Sequence, residues 1–386
     1  PQWRGPNRDG AVTSFAEPRI WPERLTRKWQ VSVGTGHSSP VVANQRAYLL
    51  SRVGEQENVS CFDLDTGKLL WRDAYPAPYT MDSAATSHSK GPKSTPVFHN
   101  SKLYTLGISG ILSCYDTAAG KVRWRKGFAA QYPRTSPLYG AAMSPMVDRG
   151  LLIAHVGGTD NGALIAFDGE TGEPRWSWKG DGPGYASPII VEVAGTRQIV
   201  TQSQKYLVGI SAANGDLLWS IPFTTPYIQN IVTPVLYKDT LIFSGLDKGV
   251  MAIRVIKQGS IWSTAKVWEN SEVSFYMSTP VIKDNLLVGM SHKRRGQFVC
   301  LDANSGATLW TSEGRRADNA AILRLSDTLV LLTSDAELII ARTGRGAFEV
   351  LRSYTVARSP TWAHPALTGT SILIKDAETL ALWRLE

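Results

Sequence analysis

Short runs of apolar residues, separated by turn-forming residues at nearly regular intervals, make up most of the chain. In the first complete unit these runs are SPVVA (39–43), AYLLS (47–51), VSCFDLD (59–65) and KLLWRDA (68–74). Runs of this length that are rich in Val, Leu and Tyr are typical of β-strands. No stretch of ten residues has the period of a helix. The pattern therefore predicts an all-β protein assembled from four-stranded antiparallel units.

A tryptophan recurs at one place in these units, at intervals of 42 to 53 residues. A repeat of about 40–50 residues is typical of propeller blades or solenoids. Because the units contain strands and no helices, they favour a β-propeller of the WD40-like or YVTN-like kind. The recurring residues are Trp29, Trp71, Trp124, Trp176, Trp219, Trp268 and Trp310.

Four of these tryptophans follow an acidic residue and a glycine, as in FDLDTGKLLW at 62–71. We expect Asp63 to accept hydrogen bonds from backbone N–H groups of the turn, and Gly67 to supply a positive φ. The ring of Trp71 then fills the wedge between two blades. Folding alone explains all three residues, so the repeat is interpreted as an architectural joint. Equivalent turn residues are Asp116, Gly120, Asp168, Gly172, Asp302 and Gly306.

Prolines identify the innermost strand of each unit. Proline cannot donate a hydrogen bond to a neighbouring strand, so it belongs at a sheet edge, and the inner strand of a blade is such an edge. The inner strands read SPVV, TPVF, SPMV, SPII, TPVL, TPVI, AAIL and HPAL, which predicts eight blades. The prolines are Pro40, Pro96, Pro145, Pro188, Pro234, Pro280 and Pro365.

The last unit contains only three strands, and the N-terminal TRKWQVSV (26–33) has the pattern of the missing fourth. We therefore expect residues 26–33 to close the ring against the end of the chain. This divides the chain into an N-terminal extension, 1–25, and one propeller domain, 26–386. The seventh unit lacks its tryptophan, so Val350 or Leu351 is expected to fill that wedge.

Composition narrows the classes of function. The chain has 386 residues and a net charge of +8, but its basic residues are mixed with acidic ones, which argues against a nucleic-acid partner. It has no run of about 18 apolar residues, so no membrane span is expected. Cys61, Cys114 and Cys300 occupy a slot that holds Ala or Gly in other units. They are expected to be buried core residues without a redox or metal-binding role.

The repeated Asp, Thr-Gly and Trp block resembles the repeat of the pyrroloquinoline-quinone (PQQ)-like propellers over about residues 26–386. That resemblance implies the same fold. The family includes PQQ- and Ca²⁺-dependent dehydrogenases and a lipoprotein scaffold of the machinery that assembles β-barrels in the bacterial outer membrane, which binds no quinone. The opening PQWRGPNRDG resembles secreted bacterial members, and its lack of Met favours an extracytoplasmic chain whose signal peptide has been removed.

The chain departs from the dehydrogenase pattern. It has no adjacent cysteines, no C-x-x-C-H haem motif and no acidic cluster spaced for Ca²⁺. We therefore expect a monomeric, non-catalytic scaffold without a cofactor, which binds a small molecule or a protein at its central funnel. The alternative is a quinoprotein alcohol or sugar oxidoreductase with PQQ and Ca²⁺.

In that alternative, Lys93 or Arg316 would polarise a quinone carbonyl and Asp318 would act as general base. Trp362 or Tyr185 would stack on the quinone ring.

Ligands of propellers usually bind at the face formed by the loops between blades. These loops are rich in Tyr, Asn, His and Trp, which suits a flat ligand or a sugar, although the same residues could simply fill a wet channel. A cationic sector on that face would attract anions or form a solvated rim; it comprises Lys205, Lys248, Lys293, Arg294, Arg295, Arg315 and Arg316. The funnel candidates are Lys93, Tyr139, Tyr185, Gln229, Asn230, Tyr276, Arg316, Asn319, Trp362 and His364, with Asp318 as a catalytic candidate.

Overall fold

The computed structural model describes residues 1–385, except for the side chain of Ser87. Its strands form eight four-stranded antiparallel sheets. The first strands of neighbouring sheets lie side by side around a central channel. The predicted eight-bladed β-propeller is therefore confirmed. Glu386, the last residue of the expected domain, lies outside the described residues.

Blades 1 to 4 follow one another along the chain, each running from its inner to its outer strand. Their strands are β2 (Val41–Ala43), β3 (Arg46–Val53), β4 (Gln56–Asp63) and β5 (Leu69–Pro76) in blade 1; β6 (Val97–His99), β7 (Lys102–Leu106), β8 (Leu112–Asp116) and β9 (Val122–Lys126) in blade 2; β10 (Met146–Asp148), β11 (Leu151–Gly158), β12 (Asn161–Asp168) and β13 (Pro174–Trp178) in blade 3; and β14 (Ile189–Val193), β15 (Thr196–Gln202), β16 (Tyr206–Ser211) and β17 (Leu217–Pro222) in blade 4.

Blades 5 to 8 continue the ring in the same order. Their strands are β18 (Val235–Tyr237), β19 (Thr240–Ser244), β20 (Val250–Gln258) and β21 (Ile261–Asn270) in blade 5; β22 (Val281–Lys283), β23 (Leu286–Ser291), β24 (Gln297–Asp302) and β25 (Thr308–Thr311) in blade 6; β26 (Ala320–Arg324), β27 (Leu329–Thr333), β28 (Glu337–Thr343) and β29 (Phe348–Thr355) in blade 7; and β30 (Ala366–Thr368), β31 (Ser371–Lys375), β32 (Thr379–Leu385) and β1 (Leu25–Ser32) in blade 8. Short 3₁₀ segments lie at Ser83–His88, Pro226–Ile228 and Lys293–Arg295.

The N-terminal strand closes the ring, as the sequence predicts. Strand β1 pairs antiparallel with β32, and Trp29 lies opposite Leu382. The indole N–H of Trp29 donates to the carbonyl of Leu64 in blade 1 at 2.9 Å, so the closing strand also joins the next blade.

The repeated joint has the geometry expected from the sequence. The Asp63 carboxylate accepts from the Thr66 backbone N–H at 2.9 Å, and Gly67 has a φ of 69°. The position that alternates between Cys, Ala and Gly lies in the core, as expected, because all three cysteines are fully buried. Burial raises the pKa of the Cys61 thiol to about 11, which leaves it protonated and unreactive at neutral pH.

Trp219 departs from the joint pattern. Its indole N–H donates to the Gln198 side-chain oxygen of its own blade at 2.7 Å, and its ring lies over Gly209 of the same sheet. The reason lies in blade 5, where β20 and β21 form one long hairpin with Gly259 at its tip. That hairpin replaces the acid–glycine turn on which the tryptophan would otherwise rest.

The wedge between blades 7 and 8 is filled differently from the prediction. Val350 is 47% exposed, so the expectation that it could fill the wedge is wrong, whereas Leu351 packs against the core. The N-terminal extension supplies the missing aromatic surface, because buried Trp21 stacks on Phe15 with ring centroids 5.9 Å apart. The Tyr354 hydroxyl donates to the carbonyl of Pro22 at 2.5 Å and holds this segment against blade 7.

Candidate functional site

A belt of hydroxyl groups surrounds the central channel, formed by the Ser or Thr before the inner-strand prolines. From blade 8 through blades 1 to 6, backbone N–H groups donate to the belt hydroxyl of the next blade, for example Thr95 to Ser144 at 3.0 Å and Ser144 to Ser187 at 2.9 Å. The remaining links run from His364 to Ser39, Ser39 to Thr95, Ser187 to Thr233 and Thr233 to Thr279. The belt ties neighbouring blades together where each proline has removed a backbone donor.

The N-terminal extension closes the channel below this belt. Arg4 donates to the carbonyls of Thr279 at 2.9 Å and Pro280 at 2.6 Å. Arg8 donates to the carbonyls of Ser144 and Pro188, at 2.9 and 3.1 Å, on the other side of the ring. Burial lowers the pKa of both guanidinium groups to about 9, which leaves them charged at neutral pH.

Above the belt lies a cavity of about 220 Å³ to which all eight blades contribute. In the extended segment that leads into each inner strand, successive side chains point to opposite sides. Residues one and three before the proline therefore face the cavity, while the residue between them is buried in the blade. The residues three before a proline are His37, Lys93, Ala142, Tyr185, Ile231, Met277 and Trp362. Trp3 of the N-terminal extension also lines the cavity, with its ring 5.5 Å from that of His364.

Most of the funnel candidates from the sequence meet at this cavity, namely Lys93, Tyr139, Tyr185, Gln229, Tyr276, Asn319, Trp362 and His364. Three do not line it. The Asn230 side chain is buried and donates to the carbonyls of Ser203 and Phe223, at 2.8 and 2.7 Å, so it fixes the loop. Arg316 is half-buried and Asp318 is exposed to solvent, and neither lines the cavity.

An aromatic cluster at one wall was missed from the sequence. The rings of His37 and Trp362 stack with centroids 5.5 Å apart, and His88 meets Trp362 edge-on at 4.7 Å. Burial, reinforced by the charge of nearby Lys93, lowers the pKa of His37 to about 3, and the same causes lower the pKa of His88. Both rings are therefore neutral at pH 7. The spacing from Pro40 could have identified His37.

Among the described residues that line the cavity, Lys93 carries the charge. Its Nζ donates to the carbonyl of Tyr139 at 2.7 Å, and burial lowers its pKa to about 8. The Tyr276 hydroxyl donates to the Gln229 side-chain oxygen at 2.7 Å. The Tyr185 hydroxyl accepts from the Tyr139 backbone N–H at 3.2 Å. The Tyr139 carbonyl, the Gln229 side-chain oxygen and the Tyr185 hydroxyl oxygen therefore already accept hydrogen bonds from the protein.

The cavity does not fit Ca²⁺ with a quinone. Ca²⁺ takes about six to eight oxygen ligands, among which carboxylates are usual. Among residues 1–385, no Asp or Glu lines the cavity, and no group of three His, Cys, Asp or Glu side chains is arranged to hold a metal ion. Lys93 would also repel a cation at the centre.

The cationic sector on the same face is partly neutralised. Lys205 forms an ion pair with Asp160 at 3.0 Å, and the Lys293 ammonium donates to the carbonyl of Glu272. Within the described part of the chain, no helix is long and apolar enough to cross a membrane.

Comparison with known sequences identifies one family. The family model described as "Outer membrane protein assembly factor BamB" matches residues 55–312. The assembly factor BamB of Burkholderia pseudomallei is 24% identical over 390 residues, which cover 95% of this chain and 81% of that protein. BamB of Bordetella pertussis is 23% identical over 230 residues, which cover 56% of this chain. The chain spans about half the length of this second relative, 52%.

Solved structures show the same fold. BamB from Moraxella catarrhalis superposes with a TM-score of 0.65 at 14% identity and covers 94% of this chain and 100% of its own. A europium-containing methanol dehydrogenase superposes with a TM-score of 0.59 at 12% identity, with 100% and 98% covered. At such identities the likeness concerns the fold alone, which is shared by an assembly factor and a dehydrogenase.

Proposed function

Since the chain belongs to the family of the outer membrane protein assembly factor BamB, we propose that it is a non-catalytic scaffold that works outside the cytoplasm. It binds a component of the machinery that assembles proteins into the outer membrane, the process for which its relatives are named. The propeller supplies a rigid ring, and the loops between blades supply the binding surface.

The composition of the central cavity is the observation that carries this proposal. An oxidoreductase of the quinoprotein kind needs a metal site and a general base beside the reacting atoms. No carboxylate among residues 1–385 lines the cavity, and the repeated acids such as Asp63 and Asp168 are engaged in turns between strands. Among the described residues, the enzymatic alternative therefore has no carboxylate at the ring centre to act as general base or to bind Ca²⁺.

The rim of the funnel face carries the proposed binding surface. Tyr227, on the loop between blades 4 and 5, is 75% exposed, and Leu138, on the loop between blades 2 and 3, is 43% exposed. Tyr227 has a left-handed backbone with a φ of 58° and a ψ of 18°. Such conformations are costly for residues other than glycine and are concentrated at functional sites. Exposed Tyr side chains are also common anchors of protein interfaces.

Site-specific photo-crosslinking in a bacterium tests the proposal. A photoreactive residue at position 227 should crosslink to a subunit of the outer-membrane assembly machinery. Leu236, 45% exposed at the opposite end of the channel, is the matched control and should give no such product. Equal crosslinking at both positions, or crosslinks at position 227 to none of these subunits, would contradict the proposal.

A further inference from the structure

We propose that the cavity above the hydroxyl belt binds a small aromatic carboxylate, with the carboxylate at Lys93 and the ring against Trp362. This site is separate from the exposed rim around Tyr227. It requires no metal ion, and it does not depend on the scaffold function.

The charge of the cavity favours an anion. Lys93 faces a space that no carboxylate of residues 1–385 lines, and Arg4 lies close enough to His364 to lower its pKa. Lys93 is therefore a half-buried cation, and the carbonyl of Tyr139 is its only hydrogen-bond acceptor among residues 1–385 apart from the Ser87 side chain. Withdrawing a charge from water without a counter-ion is costly even where burial is partial, and a bound carboxylate would supply the counter-ion.

Two acids lie near the mouth, and neither balances Lys93 from within the cavity. The Asp82 side chain accepts from the backbone N–H of Ala84 at 2.9 Å and caps the segment Ser83–His88. Asp318 is exposed and acts on His88, whose pKa it raises against the larger effect of burial.

The hydrogen-bonding groups of the wall are mainly donors. Because the Tyr276 hydroxyl donates to the Gln229 oxygen, the Gln229 amide N–H groups remain to donate into the cavity. The oxygen of Tyr185 accepts from the Tyr139 backbone, so its own proton can be donated. The belt hydroxyls are in the same state, since their oxygens accept backbone N–H groups. A carboxylate, which only accepts, complements such a surface.

The shape favours a small planar body. His37 and His88, both neutral, pack around Trp362 and form an aromatic wall opposite Ile231 and Met277. The volume of about 220 Å³ lies below the roughly 300–1,000 Å³ of sites for drug-sized ligands, so a single ring fits the cavity better than a large cofactor. A neutral sugar would leave Lys93 without a counter-ion.

Calorimetric titration with benzoate and with neutral benzamide, which has a similar shape, tests this site. We expect benzoate to bind with a millimolar or lower dissociation constant, and benzamide to bind at least about tenfold more weakly. Glucose tests the sugar alternative and should not bind. Absence of benzoate binding in the millimolar range, or equal binding of benzamide or glucose, overturns the proposal.

The matched variants are Lys93→Met, which keeps the length of the side chain, and Lys121→Met, which removes an exposed lysine from the β8–β9 turn. Lys93→Met should weaken benzoate binding at least about tenfold, and Lys121→Met should leave it unchanged. Thermal unfolding of both variants establishes that they are folded. Unchanged benzoate binding by folded Lys93→Met overturns the proposal.

The pH dependence gives an independent readout. The anion should stabilise the charged form of Lys93, so affinity should fall as pH rises from about 7 to about 9.5, through the Lys93 pKa near 8. His37, His88 and Tyr185 keep their neutral forms in this range. Two other cations near the cavity lose charge in the same range: Lys375, which acts on His37, has a pKa of about 8, and Arg4, which acts on His364, has a pKa of about 9. Lys93→Met must therefore remove most of the fall. A fall that persists in this variant contradicts the assignment. These titrations are independent of the scaffold function, so a failure to find crosslinks at position 227 would not change the results expected here.

Discussion

The Trp71 ring of blade 1 lies directly against Gly120 of blade 2, and its indole N–H donates to the carbonyl of Thr117 at 3.0 Å. A Cβ atom at Gly120 would lie 2.5 Å from the indole. The glycine of the repeat therefore serves two needs at once: its φ of 72° closes the turn, and its missing side chain makes room for the neighbouring blade.

Gly120→Ala should separate these two needs. Gly195 has a φ of 71° and nothing within 4 Å of an added Cβ, so Gly195→Ala measures the backbone cost alone. We expect about 1–2 kcal/mol for Gly195→Ala and about 1–3 kcal/mol more for Gly120→Ala, because the indole must move. Denaturant unfolding of both variants checks this, and equal losses of stability would show that the indole contact has no effect.

The hydroxyl belt should stabilise the folded protein, because its oxygens accept hydrogen bonds from buried backbone N–H groups. Ser187→Ala removes the acceptor of the Ser144 N–H and should lower the free energy of unfolding by about 1–3 kcal/mol. Ser187→Thr keeps the hydroxyl and matches the residue at the equivalent position 233, so it should unfold near the wild type. If the alanine variant is as stable as the threonine variant, the belt does not stabilise the ring.

His155 should make the propeller sensitive to acid. It is 4% exposed, its Nε2 lies 3.0 Å from the carbonyl of Asp181, and burial lowers its pKa from 6.5 to about 4. Between these values the unfolded chain binds a proton that the folded chain does not, so stability falls as pH decreases from 6.5 toward 4.

His155→Gln keeps an N–H donor for Asp181 and does not titrate. Relative to this variant, the wild type should lose about 2–3 kcal/mol of unfolding free energy between about pH 7.5 and about pH 4.5. His37 and His364, whose pKa values are lowered to about 3, contribute equally in both proteins and cancel from the comparison. Parallel pH profiles for the two proteins would contradict this role for His155.

The sequence predicts the parts of the fold that repeat. Eight inner strands, the joint of Asp63, Gly67 and Trp71, and the closing strand at Trp29 are confirmed, because each is a local pattern that recurs in successive units. Trp219 departs from its expected contact because that contact depends on a turn in the next blade.

The interior of the channel was less predictable. Arg4 and Arg8 in the channel lie in the non-repeating extension, as does Trp21 at the wedge between blades 7 and 8, and their long-range contacts have no periodic signal in the sequence. His37 does have one, since it stands three residues before Pro40, as Lys93 stands before Pro96. The polar composition of the loops correctly predicts Lys93 at the cavity. It also predicts Asn230, whose side chain is buried inside its loop and does not line the cavity.

Titration of the purified chain with PQQ in the presence of Ca²⁺ tests the central claim, that this propeller is a scaffold and not a quinoprotein oxidoreductase. Calorimetry should detect no submicromolar binding, because the cavity offers Lys93 and neutral aromatic side chains where Ca²⁺ would need carboxylates. Submicromolar, Ca²⁺-dependent binding that is lost in Asp318→Ala would contradict the account and support the enzymatic alternative.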